Sequence, residues 1–115
     1  MNEDATARPA AGEDSLARAL ARAHDALAAK IALLEAEQVA GTLSPELAAG
    51  QARAAQAAYD RDCALARVEA DTGWHTWVGV GGVLYARRER TSPPKVVRGA
   101  NAGALRAAIK AEESR

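Results

Sequence analysis

The 115-residue sequence contains no phenylalanine, a single cysteine and only 3% aromatic residues. With so few large side chains, much of the 49% hydrophobic content is alanine. An alanine methyl group adds little burial when apolar area contributes about 25 cal/mol per Å². The core of such a chain is thin, so we expect close helix packing and burial against a second copy of the chain.

Residues that carry chemistry are equally scarce. Cys63 is the only cysteine, which excludes an intrachain disulfide, and His24 and His75 are the only histidines. These residues provide no zinc-ligand spacing. The glycines at 79–82 lack the Gly-Lys-Ser/Thr ending of a phosphate-binding loop. We therefore expect no metal, no cofactor and no catalytic residues, and we predict a protein that is not an enzyme.

The sequence also lacks a long apolar run. Nothing approaches the roughly 18 consecutive apolar residues that cross a membrane, and the first residues, MNEDATARPAAGED, are acidic and polar. This beginning does not resemble a secretory signal. These absences predict a cytoplasmic protein without a membrane partner.

A long helix is the first element that the pattern predicts. Residues 1–13 have no hydrophobic periodicity and contain a proline and a glycine, which predicts a disordered tail. Asp14 or Ser15 is the predicted helix cap, and the helix should end near Ala40, with Gly41 in the left-handed position. Apolar residues recur about every 3.6 positions, at Leu16, Leu20, Ala23, Leu27, Ile31 and Leu34.

The segment GTLSPE separates this helix from a second one. Ser44 is the predicted cap, Pro45 occupies the first turn, and the short link makes the two helices antiparallel. The second helix should run to about Asp71, with Gly50 allowing a close approach. One of its faces is small and suits the first helix: Ala48, Ala52, Ala55, Tyr59, Cys63 and Ala66. Another face predicts self-association into a homodimer: Leu47, Ala54, Ala58, Leu65 and Val68.

The composition changes after Gly73. Both tryptophans and one of the two tyrosines lie between residues 74 and 85. Residues 74–80 and 83–90 are rich in aromatic and β-branched side chains, which predicts two strands, and 95–98 can form a third. Asn101 should cap a final helix over 102–113.

These elements predict an α+β fold. A long antiparallel helical hairpin, 14–72, should precede a small two- or three-stranded antiparallel sheet and a C-terminal helix, 73–115. We expect the two parts to pack as one unit.

The side chains of the sheet can be assigned to faces if Gly81-Gly82 is a two-residue turn. Trp77, Leu84 and Ala86 would then share a face covered by Leu105 and Ile109 of the last helix, and Trp77 would contribute to folding. Trp74, Val78, Tyr85 and Arg87 would share the opposite face. A bulge at the glycines would exchange these assignments.

Charge is distributed unevenly. Residues 1–72 contain seven Lys/Arg and twelve Asp/Glu, and residues 73–115 contain eight and three, so net charges of −5 and +5 cancel. The two parts either complement each other or the basic part meets an acidic partner. We expect a non-catalytic adaptor or regulator that binds a protein partner. The alternative is a DNA- or RNA-binding regulator using the same surface. The candidate partner-binding residues are Trp74, Tyr85, Arg87, Arg88, Arg90, Lys95 and Arg98.

Overall fold

The structure is a computed structural model that describes residues 11–90 and 93–115. Two long helices, α1 (Ala11–Val39) and α2 (Pro45–Thr72), precede strand β1 (His75–Val78) and strand β2 (Leu84–Arg88). Strand β3 (Lys95–Gly99) and helix α3 (Ala102–Glu113) complete the described chain. The predicted α+β fold, a helical hairpin followed by an antiparallel sheet and a C-terminal helix, is confirmed.

Helix α1 begins earlier than predicted. It starts at Ala11, three residues before the expected cap at Asp14, so the predicted boundary of the tail is wrong. The remainder of the predicted tail, residues 1–10, lies outside the described residues.

The hairpin turn forms as its sequence predicts. Gly41 adopts a left-handed φ of 77°, and the Leu47 N–H donates to the Ser44 hydroxyl at 3.2 Å. Pro45 opens α2, and Gly73, with φ 76°, ends it. These local signals set the boundaries of both helices because each satisfies backbone groups that the helix ends leave free.

The small face of α2 packs on α1, as predicted. Ala48 and Cys63 are buried and the other members of that face are half-buried. On α1, Leu34 is buried and the rest of its apolar stripe is half-buried. The expectation that Gly50 permits a close approach is wrong, since a Cβ there would meet only Arg53 Nη2, at 3.9 Å.

The three strands form an antiparallel sheet in the order β1-β2-β3. Thr76 pairs with Ala86, and Trp77 pairs with Tyr85. The predicted register is therefore wrong by one residue. The Gly79 N–H donates to the Val83 carbonyl at 2.8 Å, so three residues, Val80–Gly82, form the loop instead of two.

A one-residue change of register exchanges the two faces of a strand. Trp74 therefore joins Leu84 and Ala86 on the covered face, and Trp77 lies on the opposite face. Both loop glycines have positive φ, 76° at Gly81 and 81° at Gly82. The Gly-Gly pair thus provides the two positive-φ positions that its sequence indicates. These glycines are the second and third residues of a three-residue loop, not the two residues of a tight turn.

The main core lies between the covered face of the sheet and two helices. Helix α2 contributes Leu65 and Val68, and α3 contributes Leu105 and Ile109, which are 0% and 1% exposed. A Cβ at Gly99 would lie 2.5 Å from the Leu105 nitrogen, so glycine is needed where β3 meets α3. The cluster consists of Leu65, Val68, Trp74, Leu84, Ala86, Leu105 and Ile109.

Candidate partner-binding face

The face of the sheet that turns away from the helices carries two rows of side chains. The strand register places His75 beside Arg87 and Arg87 beside Val96. In the second row, Trp77 pairs with Tyr85, and Tyr85 pairs with Arg98. We call the six residues of these rows the outer face: His75, Arg87, Val96, Trp77, Tyr85 and Arg98.

Three aromatic rings of the outer face stack on one another. The ring centroids of Trp77 and Tyr85 are 5.5 Å apart with an interplanar angle of 10°, and those of His75 and Trp77 are 5.8 Å apart at 26°. A Cβ at Gly79 would overlap the Tyr85 ring, so this glycine lets the ring lie against the main chain. Trp77 nevertheless remains 36% exposed.

Positive charge borders the aromatic stack. Arg87 Nη2 lies 3.6 Å from Glu89 Oε1, and both side chains are about half exposed. Arg98 lies beside Tyr85 and is exposed. Among the described residues no ion pair to Arg98 is formed. The outer face therefore combines exposed apolar rings with cationic side chains.

Three of the predicted partner-binding residues, Tyr85, Arg87 and Arg98, lie on the outer face. The predicted placement of Trp74 beside them is wrong. Trp74 is 2% exposed, and its indole N–H donates to Glu113 Oε2 at 3.0 Å. The corrected register accounts for this exchange. Thr76 pairs with the core residue Ala86, and Trp74, two residues before Thr76, lies on the same face.

Arg88 and Lys95 pair with each other across the strands on the covered side of the sheet. Lys95 Nζ lies 3.1 Å from Glu112 Oε1 of α3. The hydrogen bond from Lys95, together with the nearby charges of Lys95, Arg115 and Arg88, holds the pKa of Glu112 below its usual range, although desolvation acts in the opposite direction. Arg88 and Lys95 thus attach the sheet to α3.

Arg90, the last predicted partner-binding residue of this segment, follows β2 and is exposed. Its φ of 61° places it in the left-handed region, which is uncommon for a residue with a Cβ. It lies outside both rows of the outer face.

The sequence pattern missed His75, Trp77 and Val96 as outer-face residues. Val96 is 53% exposed. For His75 and Trp77 the signal was the parity of β1, which a two-residue turn assigned in the wrong sense. Val96 lies on β3, whose pairing with β2 that turn does not determine. A strand with apolar residues on both faces does not reveal by its sequence which face is covered.

Glu69 anchors β1 next to the outer face. Its Oε2 accepts hydrogen bonds from the Thr76 N–H at 2.9 Å and the Thr76 hydroxyl at 2.7 Å. His75 Nδ1 lies 3.9 Å from the same oxygen. Two close donors occupy this carboxylate oxygen, an arrangement typical of a structural anchor.

The second predicted surface, for self-association, is divided by the fold. Leu65 and Val68 are 6% and 0% exposed in the main core, so the expectation that they form a free stripe is wrong. Leu47 is 62% exposed near the hairpin turn. Ala54 and Ala58 line an open groove of about 460 Å³ between α1 and α2, which is mostly apolar and also bordered by Lys30 and Asp62.

Cys63 is buried where α2 faces α1, as predicted. Its side-chain hydrogen bond with Tyr59 is the main cause that raises the pKa of that phenol above its ordinary value. Buried thiols of this kind behave as small apolar residues.

The remaining chemistry is limited. Within residues 11–90 and 93–115, no three His, Cys, Asp or Glu side chains are grouped so that they can hold a metal ion. In the same part of the chain, every helix is too short or too polar to cross a membrane. The outer face, with its exposed rings and arginines, is the arrangement best suited to bind another molecule.

Comparison of the chain with protein-family models, with curated proteins and with solved structures finds no match.

Proposed function

We propose that this protein is a non-catalytic cytoplasmic adaptor that binds an acidic protein partner through its outer face and self-associates through its hairpin. The observation that supports partner binding is the uncovered sheet face on which Trp77 remains exposed beside Arg87 and Arg98. Aromatic and arginine side chains are enriched at the positions that contribute most to binding between proteins.

The geometry of the aromatic rings favours a protein partner over nucleic acid. Single-stranded nucleic acids bind when their bases stack on free aromatic faces. Trp77 stacks with both His75 and Tyr85, so a base would compete with these neighbouring rings for its faces. The partly exposed Trp77 beside Arg87 and Arg98 suits the apolar and acidic side chains of a protein.

Nucleic-acid binding is the second candidate function, because residues 73–115 have a net charge of +5 and the arginines accompany exposed rings. It predicts a steep loss of affinity as salt rises, since each phosphate contact releases a counterion. Apolar burial lacks this dependence.

Self-association is supported by the construction of the hairpin. Within residues 11–90 and 93–115, the core cluster reaches α2 only at Leu65 and Val68, and no third layer of these residues covers the part of the hairpin nearer its turn. Ala54 and Ala58 line the groove there, where small side chains allow another helix to approach. Pairing two hairpins would produce a four-helix bundle.

Affinity capture from the native cell tests the partner-binding proposal. A double variant, Arg87→Ala with Arg98→Ala, should lose the protein that the unmodified chain retains, because two outer-face charges are removed. The matched control is Arg53→Ala with Arg67→Ala, which removes the same charge from exposed positions on α2. Retention of the same protein by the outer-face variant, at unchanged yield, would contradict the proposal.

Nuclease treatment separates the two candidate functions in the same experiment. A protein partner should remain bound after digestion, and its retention should fall only moderately as salt rises, because its contacts with Arg87 and Arg98 are partly screened. Loss of the captured material on digestion would instead support the nucleic-acid function.

Sedimentation velocity tests self-association. The unmodified chain should sediment as a dimer at micromolar concentration, and Ala58→Glu should shift it to a monomer by placing a charge in the groove. Ala57→Glu, at an exposed position outside the groove lining, is the control and should remain dimeric. A monomer in all three samples would refute this part of the proposal.

A further inference from the structure

The two edge strands of the sheet differ in how their outward backbone groups are satisfied. In an antiparallel pair, alternate residues direct their N–H and C=O groups toward the neighbouring strand. The bond from Gly79 N–H to Val83 O sets this alternation for β1 and β2. Odd-numbered residues of β2 therefore bond to β1, and even-numbered residues bond to β3.

The same alternation applies to β3 through its pairing with β2. Ala86 pairs with Val97, so Val97 and its second neighbours direct their backbone groups inward. Val96 and Arg98 must then direct their N–H and C=O groups away from the sheet. No side chain or loop of the described residues forms a hydrogen bond with the backbone of either residue.

The opposite edge of the sheet is blocked. On β1 the outward N–H of Thr76 donates to Glu69 at 2.9 Å, and this carboxylate from α2 occupies the position an added strand would need. An open edge on one side and a blocked edge on the other restrict strand addition to β3.

The positive charge of β3 favours one kind of added strand over another. Arg98 is exposed on the outer face of β3, and Arg87 lies on the same face of β2. Lys95 lies on the covered side, where it is paired with Glu112. A second copy of β3 would bring like charges together across the new pair, which is destabilising. An acidic segment would instead find opposite charges. The exposed Arg98 on the edge strand thus hinders self-pairing and favours an acidic partner.

We propose that β3 binds an extended acidic peptide segment of the partner, which adds to the sheet as a fourth strand. This inference rests on the proposed function and specifies its chemistry. The segment would extend both rows of the outer face. A β-branched residue would lie beside Val96, and a carboxylate two residues away would lie beside Arg98.

Amide hydrogen exchange followed by NMR tests the geometry directly. The probe is a short synthetic peptide in which valine and glutamate occupy alternate positions of one strand face, with threonine between them, and it is added to the full chain. The amides of Val96 and Arg98 should become protected, because they gain backbone acceptors. The amide of Thr76, which already donates to Glu69, should exchange at an unchanged rate.

Backbone methylation of the peptide leaves the protein unaltered and therefore cannot cause misfolding. Methylating an amide that bonds to β3 should weaken binding by up to about tenfold, the equivalent of one backbone hydrogen bond. Methylating the next amide, which points away from β3, should weaken binding much less. The affinities can be measured by isothermal titration calorimetry.

A protein variant gives an independent readout. Val96→Pro removes the outward N–H without removing a ladder hydrogen bond, a change that edge strands tolerate. Val96→Pro should weaken peptide binding by a similar factor. Val96→Ala is the control: it keeps the N–H, so the two methylated peptides should still differ in their affinity for this variant. A circular dichroism melt verifies that each variant is folded.

The outcomes distinguish this inference from the proposed function. Peptide binding that shifts the Trp77 and Arg87 resonances without protecting the Val96 and Arg98 amides would refute strand addition while leaving the outer face as the binding surface. A peptide that does not bind would also refute strand addition, and the capture experiment would still decide the proposed function. Protection by a single-stranded oligonucleotide in place of the peptide would overturn both.

Discussion

Replacing each tryptophan by alanine should affect stability very differently, although the two residues are only three positions apart. Trp74 is 2% exposed within the core cluster, and its indole N–H is bonded to Glu113. Truncating a buried tryptophan costs about 3–5 kcal/mol because the cavity is only partly filled by relaxation. Small domains have a total stability of about 5–15 kcal/mol, so this loss is severe.

Trp77 is 36% exposed and contacts His75 and Tyr85. An aromatic pair contributes about 0.5–1.5 kcal/mol beyond area burial, so Trp77→Ala should cost about 1 kcal/mol. With a urea dependence of about 1–3 kcal/mol per molar, the unfolding midpoint should fall by roughly 2 M for Trp74→Ala. For Trp77→Ala it should fall by about 0.5 M.

Urea titrations followed by circular dichroism would measure both midpoints. If Trp74→Ala does not fold, Trp74→Phe keeps most of the buried volume and should still be less stable than Trp77→Phe. A larger loss for the Trp77 variants would refute the strand register, because that order belongs to the two-residue turn. Equal losses would show that neither face is preferentially covered.

The remaining predictions concern other parts of the fold. Gly99→Ala should be strongly destabilising in urea titrations, because its Cβ would lie 2.5 Å from backbone of α3, whereas Gly50→Ala meets nothing closer than 3.9 Å and should stabilise α2 by up to about 1 kcal/mol. A thiol reagent should modify buried Cys63 slowly in the native chain and rapidly in urea, and equal rates would place it on the surface. Because its contact with Lys95 lowers the pKa of Glu112, the stability from this pair is present above the ordinary glutamate pKa and is lost as the pH falls through the lowered value. Melting temperatures measured against pH should therefore fall less steeply in acid for Glu112→Gln than for the unmodified chain, and identical slopes would contradict the assignment.

The element boundaries could be predicted because their signals are local. Ser44 followed by Pro45, the left-handed Gly41 and Gly73, and the cap at Asn101 each act on backbone groups within one turn. The Asn101 side chain, for example, accepts from the Ala104 N–H at 2.9 Å. Such interactions depend little on the rest of the fold, which is why sequence alone specifies them.

The faces of the sheet could not be predicted because they depend on one residue of loop length. Gly81-Gly82 satisfies a two-residue turn as well as the three-residue loop that forms. The choice between them is made by tertiary contacts, including the Tyr85 ring over Gly79 and the burial of Trp74. The face of Arg87 could be predicted, because the shift moves β1 and leaves the parity of β2 unchanged.

The self-association stripe shows a second limit of sequence patterns. A helical period shows that Leu65 and Val68 face an apolar surface, but it does not show which surface. In the fold that surface is the protein's own sheet, through Trp74 and Leu84. The predicted stripe of α2 is therefore buried against the sheet in its C-terminal part, at Leu65 and Val68, and lines an open groove further toward the hairpin turn, at Ala54 and Ala58.

The separation of the two tryptophans onto opposite sides of the sheet has an optical consequence. The indole of Trp74 is enclosed by core residues, whereas that of Trp77 is partly in water. Their fluorescence emission should therefore differ in wavelength, with Trp74 emitting further to the blue and resisting iodide quenching. A molecule that docks on the outer face would change the Trp77 emission and leave the Trp74 emission constant. The chain thus contains its own unlabelled reporter of occupancy, with an internal reference for folding a few residues away.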